Sequence, residues 1–190
     1  KCLTFSFFKI NPVIDFVYCH KDQDKNNPLI SIVIPTFNRV DHLRRALDSV
    51  FNQTYQNFEI LLVGDKCPRL DDFILNYEKA KDERFKWFNL PNNGGSGGHL
   101  PRNYAIKKMC NTEWIAYLDD DNTWRSNHLE TIVETIRNNP DIKFVVNSMS
   151  IQNKDLIFDE LRKGRIDTSC TAHKFELCVK NGLWKDRNEG

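Results

Sequence analysis

Trp114-Ile115-Ala116-Tyr117-Leu118 runs directly into Asp119-Asp120-Asp121-Asn122. Five apolar residues read as a short buried strand, and three acids at its end stop it. The same sentence repeats upstream. Leu29-Ile30-Ser31-Ile32-Val33-Ile34 is a β-branched run closed by Pro35, and Phe58-Glu59-Ile60-Leu61-Leu62-Val63 is closed by Gly64-Asp65. Between the strands lie segments of helical period. Asp41 to about Asn52 is a predicted helix capped by Asp41, with Leu43, Leu47, Val50 and Phe51 inward and Arg44, Arg45 and Asp48 outward. Residues 70–81 form a second, with Leu70, Phe73, Ile74 and Tyr77 inward.

Outward from these, residues 85–90 read as a third strand, Asn92 to His99 as a glycine-rich loop and Pro101 to Met109 as a helix. Leu129 to Asn138 follows as a helix and 143–147 as a strand. Strands alternating with helices predict an α/β domain: an open, mostly parallel sheet with helices on both faces. Ligands of such sheets bind beyond the carboxyl ends of the strands. That rule selects Pro35 to Asn38, Gly64 to Lys66, Asn92 to His99 and Asp119 to Asn122 as one rim.

Composition narrows the function. Across 190 residues, 27 Lys and Arg nearly balance 26 Asp and Glu, so nothing attracts nucleic acid or an anionic membrane globally. No apolar run reaches the roughly 20 residues of a membrane helix. Six cysteines contain no Cys-x-x-Cys pair, which removes the zinc ribbon and the thioredoxin-like site. Cys170, His173 and Cys178 read as small buried groups rather than a metal cluster. Such cysteine usage makes a reducing, cytoplasmic setting the expectation. Residues 1–28 read as an appendage ending in a polar linker, His20 to Pro28. A start at Lys1 and a polar end at Gly190 suggest a piece of a longer chain.

The acids at 119–121 carry the chemistry. Strand alternation points Asp119 and Asp121 one way and Asp120 the other. Carboxylates this close repel unless a cation neutralises them, and hard oxygen donors suit Mg²⁺ or Mn²⁺. An EF-hand fails on Trp124, which would stand where the loop needs glycine. Gly94-Gly95-Ser96-Gly97-Gly98 holds four of eight glycines and fits either close backbone approach to an anion or a plain connection. Arg102 and Asn103 open the next helix and offer charge and hydrogen bonds to a phosphate. Phe37 suits either base stacking or core packing. Asp65 suits either a cap or an acceptor for a uracil N3–H.

Taken in order, Ser31 to Arg39, Leu43 to Val50, Gln53-Thr54-Tyr55, Phe58-Glu59-Ile60, Arg102-Asn103, Trp114 to Asn122 and His128-Leu129 resemble the family 2 glycosyltransferases. That resemblance implies the GT-A fold, Rossmann-like and mostly parallel. It implies residues 29–190 as the family domain, with 29–150 the nucleotide-sugar-binding part and 151–190 the start of an acceptor part. It implies a metal-dependent, inverting transfer from a nucleotide-diphosphate sugar, with UDP favoured, to a glycan or other hydroxyl acceptor. Polysaccharide or glycan biosynthesis is the implied setting.

Carried over by position, Pro35, Thr36, Phe37, Asn38, Asp65, Gly95, Arg102, Asn103, Asp119 and Asp120 would bind the nucleotide. Asp119 to Asp121 match the family's Asp-x-Asp motif, with Asp121 and Asp119 the ligands of Mn²⁺ or Mg²⁺. The family's catalytic base follows a strand like Thr168 to His173 and a loop like Gly182 to Asp186. Asp186 and Glu189 are candidates, and a base beyond Gly190 is the expectation. Two departures stand out. Gly64 replaces the first acid of a usual Asp-Asp pair, and the glycine loop is longer and richer. A non-catalytic nucleotide-sugar-binding module is the alternative. A nucleotidyltransferase is a more distant one, since the first strand lacks a glycine-rich basic loop after it.

Overall fold

The computed structural model describes residues 24–151, 154–156 and 166–185. Strands β1 (Ile30–Thr36), β2 (Phe58–Gly64), β3 (Phe85–Asn89) and β4 (Trp114–Tyr117) alternate with α1 (Val40–Phe51), α2 (Leu70–Leu75) and α3 (His99–Tyr104). Then come α4 (His128–Asn138), β5 (Phe144–Val146), β6 (Met149–Ile151), β7 (Lys154–Leu156), β8 (Thr171–Lys174) and α5 (Glu176–Asn181). Six strands make one sheet in the order β3-β2-β1-β4-β8-β5, and β6 with β7 forms a separate antiparallel pair. β1 to β4 pair in parallel, while β8 runs antiparallel to both neighbours. The sheet is thus mostly parallel, as predicted. Residues on both sides of position 150 share it.

The continuous apolar runs have a simple cause: both faces of the sheet are covered. Ile32, Ile34, Ile60, Leu62, Ala116 and Leu118 face a core shared with α1, α2 and α4. Their neighbours Val33, Leu61, Val63, Ile115 and Tyr117 face a second core with Ala105, Ile106, Phe175 and Cys178. Leu43, Leu47 and Val50 of α1 are fully buried, each worth on the order of 2 kcal/mol in removed apolar surface.

Several boundaries differ from the expected ones. Asp41 lies in the first turn of α1, where its charge suits the helix dipole. The residue preceding the helix is Arg39, with no side-chain cap bond. The helix expected over 70–81 stops at Leu75 and resumes as a tight turn over Glu78–Lys81. Tyr77 breaks it by turning inward, stacking on Phe73 at 5.3 Å and donating its hydroxyl to Asp48 at 3.1 Å. The helix expected from Pro101 begins at His99 and widens into a π-turn over Ala105–Met109. Cys110 N–H there reaches back to Ala105 O at 2.9 Å.

Registration sets the rim. β1 and β2 pair from Ile30↔Phe58 to Thr36↔Gly64, while β4 pairs with β1 only as far as Val33↔Tyr117. The acids after β4 therefore come level with the last residues of β1.

Candidate functional site

The four predicted rim stretches adjoin one another. Asp65 N–H donates to Thr36 O at 2.8 Å, tying the ends of β2 and β1. The Asp65 carboxylate, buried, accepts Gly94 N–H at 2.7 Å, and its carbonyl accepts the Asn93 amide at 3.1 Å. Asp65 thus holds the head of the glycine loop. Thr36 donates its hydroxyl to Asp120 Oδ2 at 2.8 Å, joining β1 to the acids. At Gly98 a side chain would press on Arg102 and Pro35, so glycine there lets the loop lie against both. Gly95 sits at φ 82°, ψ −151°, a region open essentially to glycine alone.

The acids do not keep strand alternation. β4 ends at Tyr117, and Asn122 N–H closes a turn on Asp119 O at 3.0 Å. Asp119 alone turns toward Arg102, with Arg102 Nη2 donating to its Oδ1. Asp120 and Asp121 share a different cation. Arg39 Nη1 lies 2.5 Å from Asp121 Oδ2 and 3.4 Å from Asp120 Oδ1. Burial raises the pKa of Asp119, opposed by Arg102 and reinforced by Asp167 and Asp121. Burial likewise raises that of Asp120, opposed by Thr36, Arg39 and the Phe37 amide and reinforced by Asp121.

Arg102 is enclosed. Its Nη1 donates to Gly97 O at 2.6 Å, the Trp184 ring lies 5.1 Å from its guanidinium carbon, and its buried Nε has no partner among the described residues. Asn103 points elsewhere. Its amide nitrogen donates to Trp184 O at 2.8 Å and its oxygen accepts Trp184 N–H at 3.0 Å. Phe37 is 51% exposed, which removes core packing as its explanation. Asn38, at φ 55°, donates its N–H to Cys67 Sγ at 3.3 Å.

Gly64 has a local reason. A Cβ there would stand 2.6 Å from Asn89 Oδ1 and 2.6 Å from Leu70 Cδ2. Asn89 fills the space and fastens the loop after β2, accepting Cys67 N–H at 2.9 Å and donating to Cys67 O at 3.0 Å.

The segment before β8 supports the acids from behind, a role sequence reasoning missed. Ser169 Oγ accepts Asp119 N–H at 3.0 Å and the Asn122 amide at 2.9 Å. Asp167 accepts Ser169 N–H at 2.8 Å. Nothing in local pattern marks a serine 50 residues from the acid it supports. Nor does local pattern predict Trp184 over Arg102.

Cys170 and Cys178 are buried thiols, and His173 Nε2 lies 2.8 Å from the Tyr117 hydroxyl. Among the described residues no group of three His, Cys, Asp or Glu side chains is gathered to hold a metal. Asp186 and Glu189, the base candidates, lie outside the described residues. Among the described residues no helix is long and apolar enough to cross a membrane.

Comparison with known proteins agrees with this architecture. A putative colanic acid biosynthesis glycosyl transferase WcaA of Escherichia coli K12 is 38% identical over 110 residues, covering 57% of this chain and 38% of that protein. A putative teichuronic acid biosynthesis glycosyltransferase TuaG of Bacillus subtilis 168 is 32% identical over 108 residues, 56% of this chain and 41% of its own length. The chain thus spans well under half of these relatives.

Among solved structures, S. aureus TarS 1-349 in complex with UDP-GlcNAc aligns with TM-score 0.69 and 18% identity, over 83% of this chain and 48% of that one. The mannosyltransferase PcManGT of Pyrobaculum calidifontis, in complex with GDP-Man and Mn²⁺, aligns with TM-score 0.65 and 14% identity, over 93% and 51%. These likenesses show the fold, a GT-A sheet. The model of "Glycosyl transferase family 2" matches residues 31–175, and the chain belongs to that family.

Proposed function

We propose that this chain is the donor-binding part of an inverting, metal-dependent glycosyltransferase that moves a sugar from a UDP-sugar to an acceptor hydroxyl. One observation carries the reading. Three carboxylates stand at the end of β4, on the rim where β1 and β2 also end, beside a half-exposed Phe37. Residues 29–150 would supply the nucleotide-sugar-binding part and 151–190 the start of the acceptor part, with 1–28 an appendage. The similarity to glycosyltransferases named for colanic acid and teichuronic acid biosynthesis supports a glycan setting.

Each rim residue then has a task. Phe37 and Pro35 flank the base, and the Asp65 carboxylate, with one oxygen on Gly94, keeps lone pairs for a uracil N3–H. Asp120, steadied by Thr36, lies near the ribose. Glycine-loop amides and the unspent Nε of Arg102 serve the diphosphate. Asp121, half-exposed and held by an exposed Arg39, fits a hard divalent cation in donor chemistry, and Asp119 would join it only on release from Arg102. Mg²⁺ and Mn²⁺ sites commonly use one or two protein carboxylates, with water and phosphates completing the shell. Such a cation supplies Lewis-acid neutralisation of the departing nucleoside diphosphate. The base that deprotonates the acceptor would be Asp186, Glu189 or an acid beyond Gly190.

Titration calorimetry of UDP with Mn²⁺ tests the site. Asp121→Ala should abolish the metal-dependent part of UDP binding, and unchanged binding would refute the assignment.

A further inference from the structure

The rim holds two arginines in different circumstances. The Arg102 side chain is 7% exposed and is fixed by Gly97 O, Asp119 and the Trp184 ring. The Arg39 side chain is 54% exposed. Asp120 and Asp121 are the partners of its guanidinium among the described residues. Asp121 is itself 46% exposed, so both members of this pair can exchange their partner for water or for another ion. Arg102 cannot leave Asp119 without opening a buried cluster. Arg39 can leave Asp121 by rotating its side chain.

The chain is thus built so that its outermost acid is neutralised from within. Asp121 lies 82 residues from Arg39 in sequence, yet the end of β1 delivers the guanidinium to it directly. Among the described residues, Arg39 is the cation paired with Asp120 and Asp121, which are otherwise adjacent carboxylates.

We propose that Arg39 is the exchangeable counter-ion of Asp121. It neutralises the rim acids in the nucleotide-free chain and yields Asp121 when a divalent cation arrives with the donor. The inference rests on the reading of Asp121 as a cation ligand. It has a specific consequence. A cation arriving alone must displace Arg39 and leave its charge beside another positive ion. A cation arriving with a diphosphate brings the negative charge that Arg39 can turn to. Arg39 would therefore make cation binding conditional on the nucleotide.

The test measures Mn²⁺ binding to the 190-residue chain by the loss of the free-ion paramagnetic resonance signal, with and without UDP. Without UDP, Arg39→Gln should bind Mn²⁺ about fivefold more tightly than the parent, the scale of one exposed ion pair. Arg39→Lys, which keeps the charge, should stay near the parent. With saturating UDP the advantage of Arg39→Gln should vanish. Equal or weaker Mn²⁺ binding by Arg39→Gln in the absence of UDP, with normal Mn²⁺ binding in its presence, overturns the counter-ion role alone. If Mn²⁺ binds none of the three proteins with or without UDP, the reading of Asp121 as a ligand fails, and this inference with it.

Discussion

Gly64→Ala should destabilise the chain by about 2–5 kcal/mol, far more than its chemistry suggests. The added Cβ would meet Asn89 Oδ1 at 2.6 Å and Leu70 Cδ2 at 2.6 Å. Neither can retreat cheaply. Asn89 is pinned by two hydrogen bonds to Cys67, at 2.9 and 3.0 Å, and losing both costs about 2 kcal/mol at ~1 kcal/mol each. Leu70 is fully buried, and forcing a methyl against it adds about 1–3 kcal/mol. Restricting the unfolded chain returns about 0.4–1 kcal/mol. For a chain of this size the net loss lowers Tm by about 4–20 °C. Urea and thermal unfolding read the effect. A double-mutant cycle with Asn89→Ala reads its cause, because removing Asn89 opens the space. A loss below about 0.5 kcal/mol, or strict additivity with Asn89→Ala, would refute the clamp.

Two further predictions concern the supports of the rim. His128 is buried, stacked on Trp124 at 4.3 Å, and burial lowers its pKa from 6.5 to about 4. Its contribution is therefore complete above the unfolded value and falls as pH drops from 6.5 toward 4, by about 3 kcal/mol at most. Urea unfolding at pH 7, 5 and 4 should show this decline in the parent and a flatter profile in His128→Phe; identical profiles would contradict it. Ser169→Ala removes the acceptor of Asp119 N–H and of the Asn122 amide, and should cost about 1–3 kcal/mol. It should also weaken UDP binding in calorimetry although Ser169 lies behind the acids.

Much of the architecture was legible because the strands are buried on both faces. Contiguous runs such as Ile30 to Ile34 and Ile60 to Val63 can serve little else. The rim followed from where those runs stop. What escaped reading depends on distance along the chain. Asp119 to Asp121 have no lysine or arginine beside them in sequence until Arg125, yet the fold brings Arg102 to Asp119 and Arg39 to Asp120 and Asp121. Alternation failed at the acids because pairing with β1 ends at Tyr117, and the turn that follows obeys its own geometry. Helix periodicity over 70–81 could not show that Tyr77 prefers Phe73 and Asp48 to another turn of helix. Gly64 looked like a lost acid, and only the position of Asn89 shows it as room made for a neighbour.

The strand order also sets a schedule for synthesis. β5 leaves the ribosome before β8, but among the described residues its partner in the sheet is β8, which separates it from β4. β1 to β4 can assemble as the chain emerges, each new strand finding a partner already made. β5 must wait until residue 174 has appeared, and the Asp119 amide waits with it for Ser169. A nascent chain halted near residue 150 would carry all three rim acids with neither their support nor the sheet's last two strands in place. The acid end of the rim is therefore among the last parts of the donor site to become a structure.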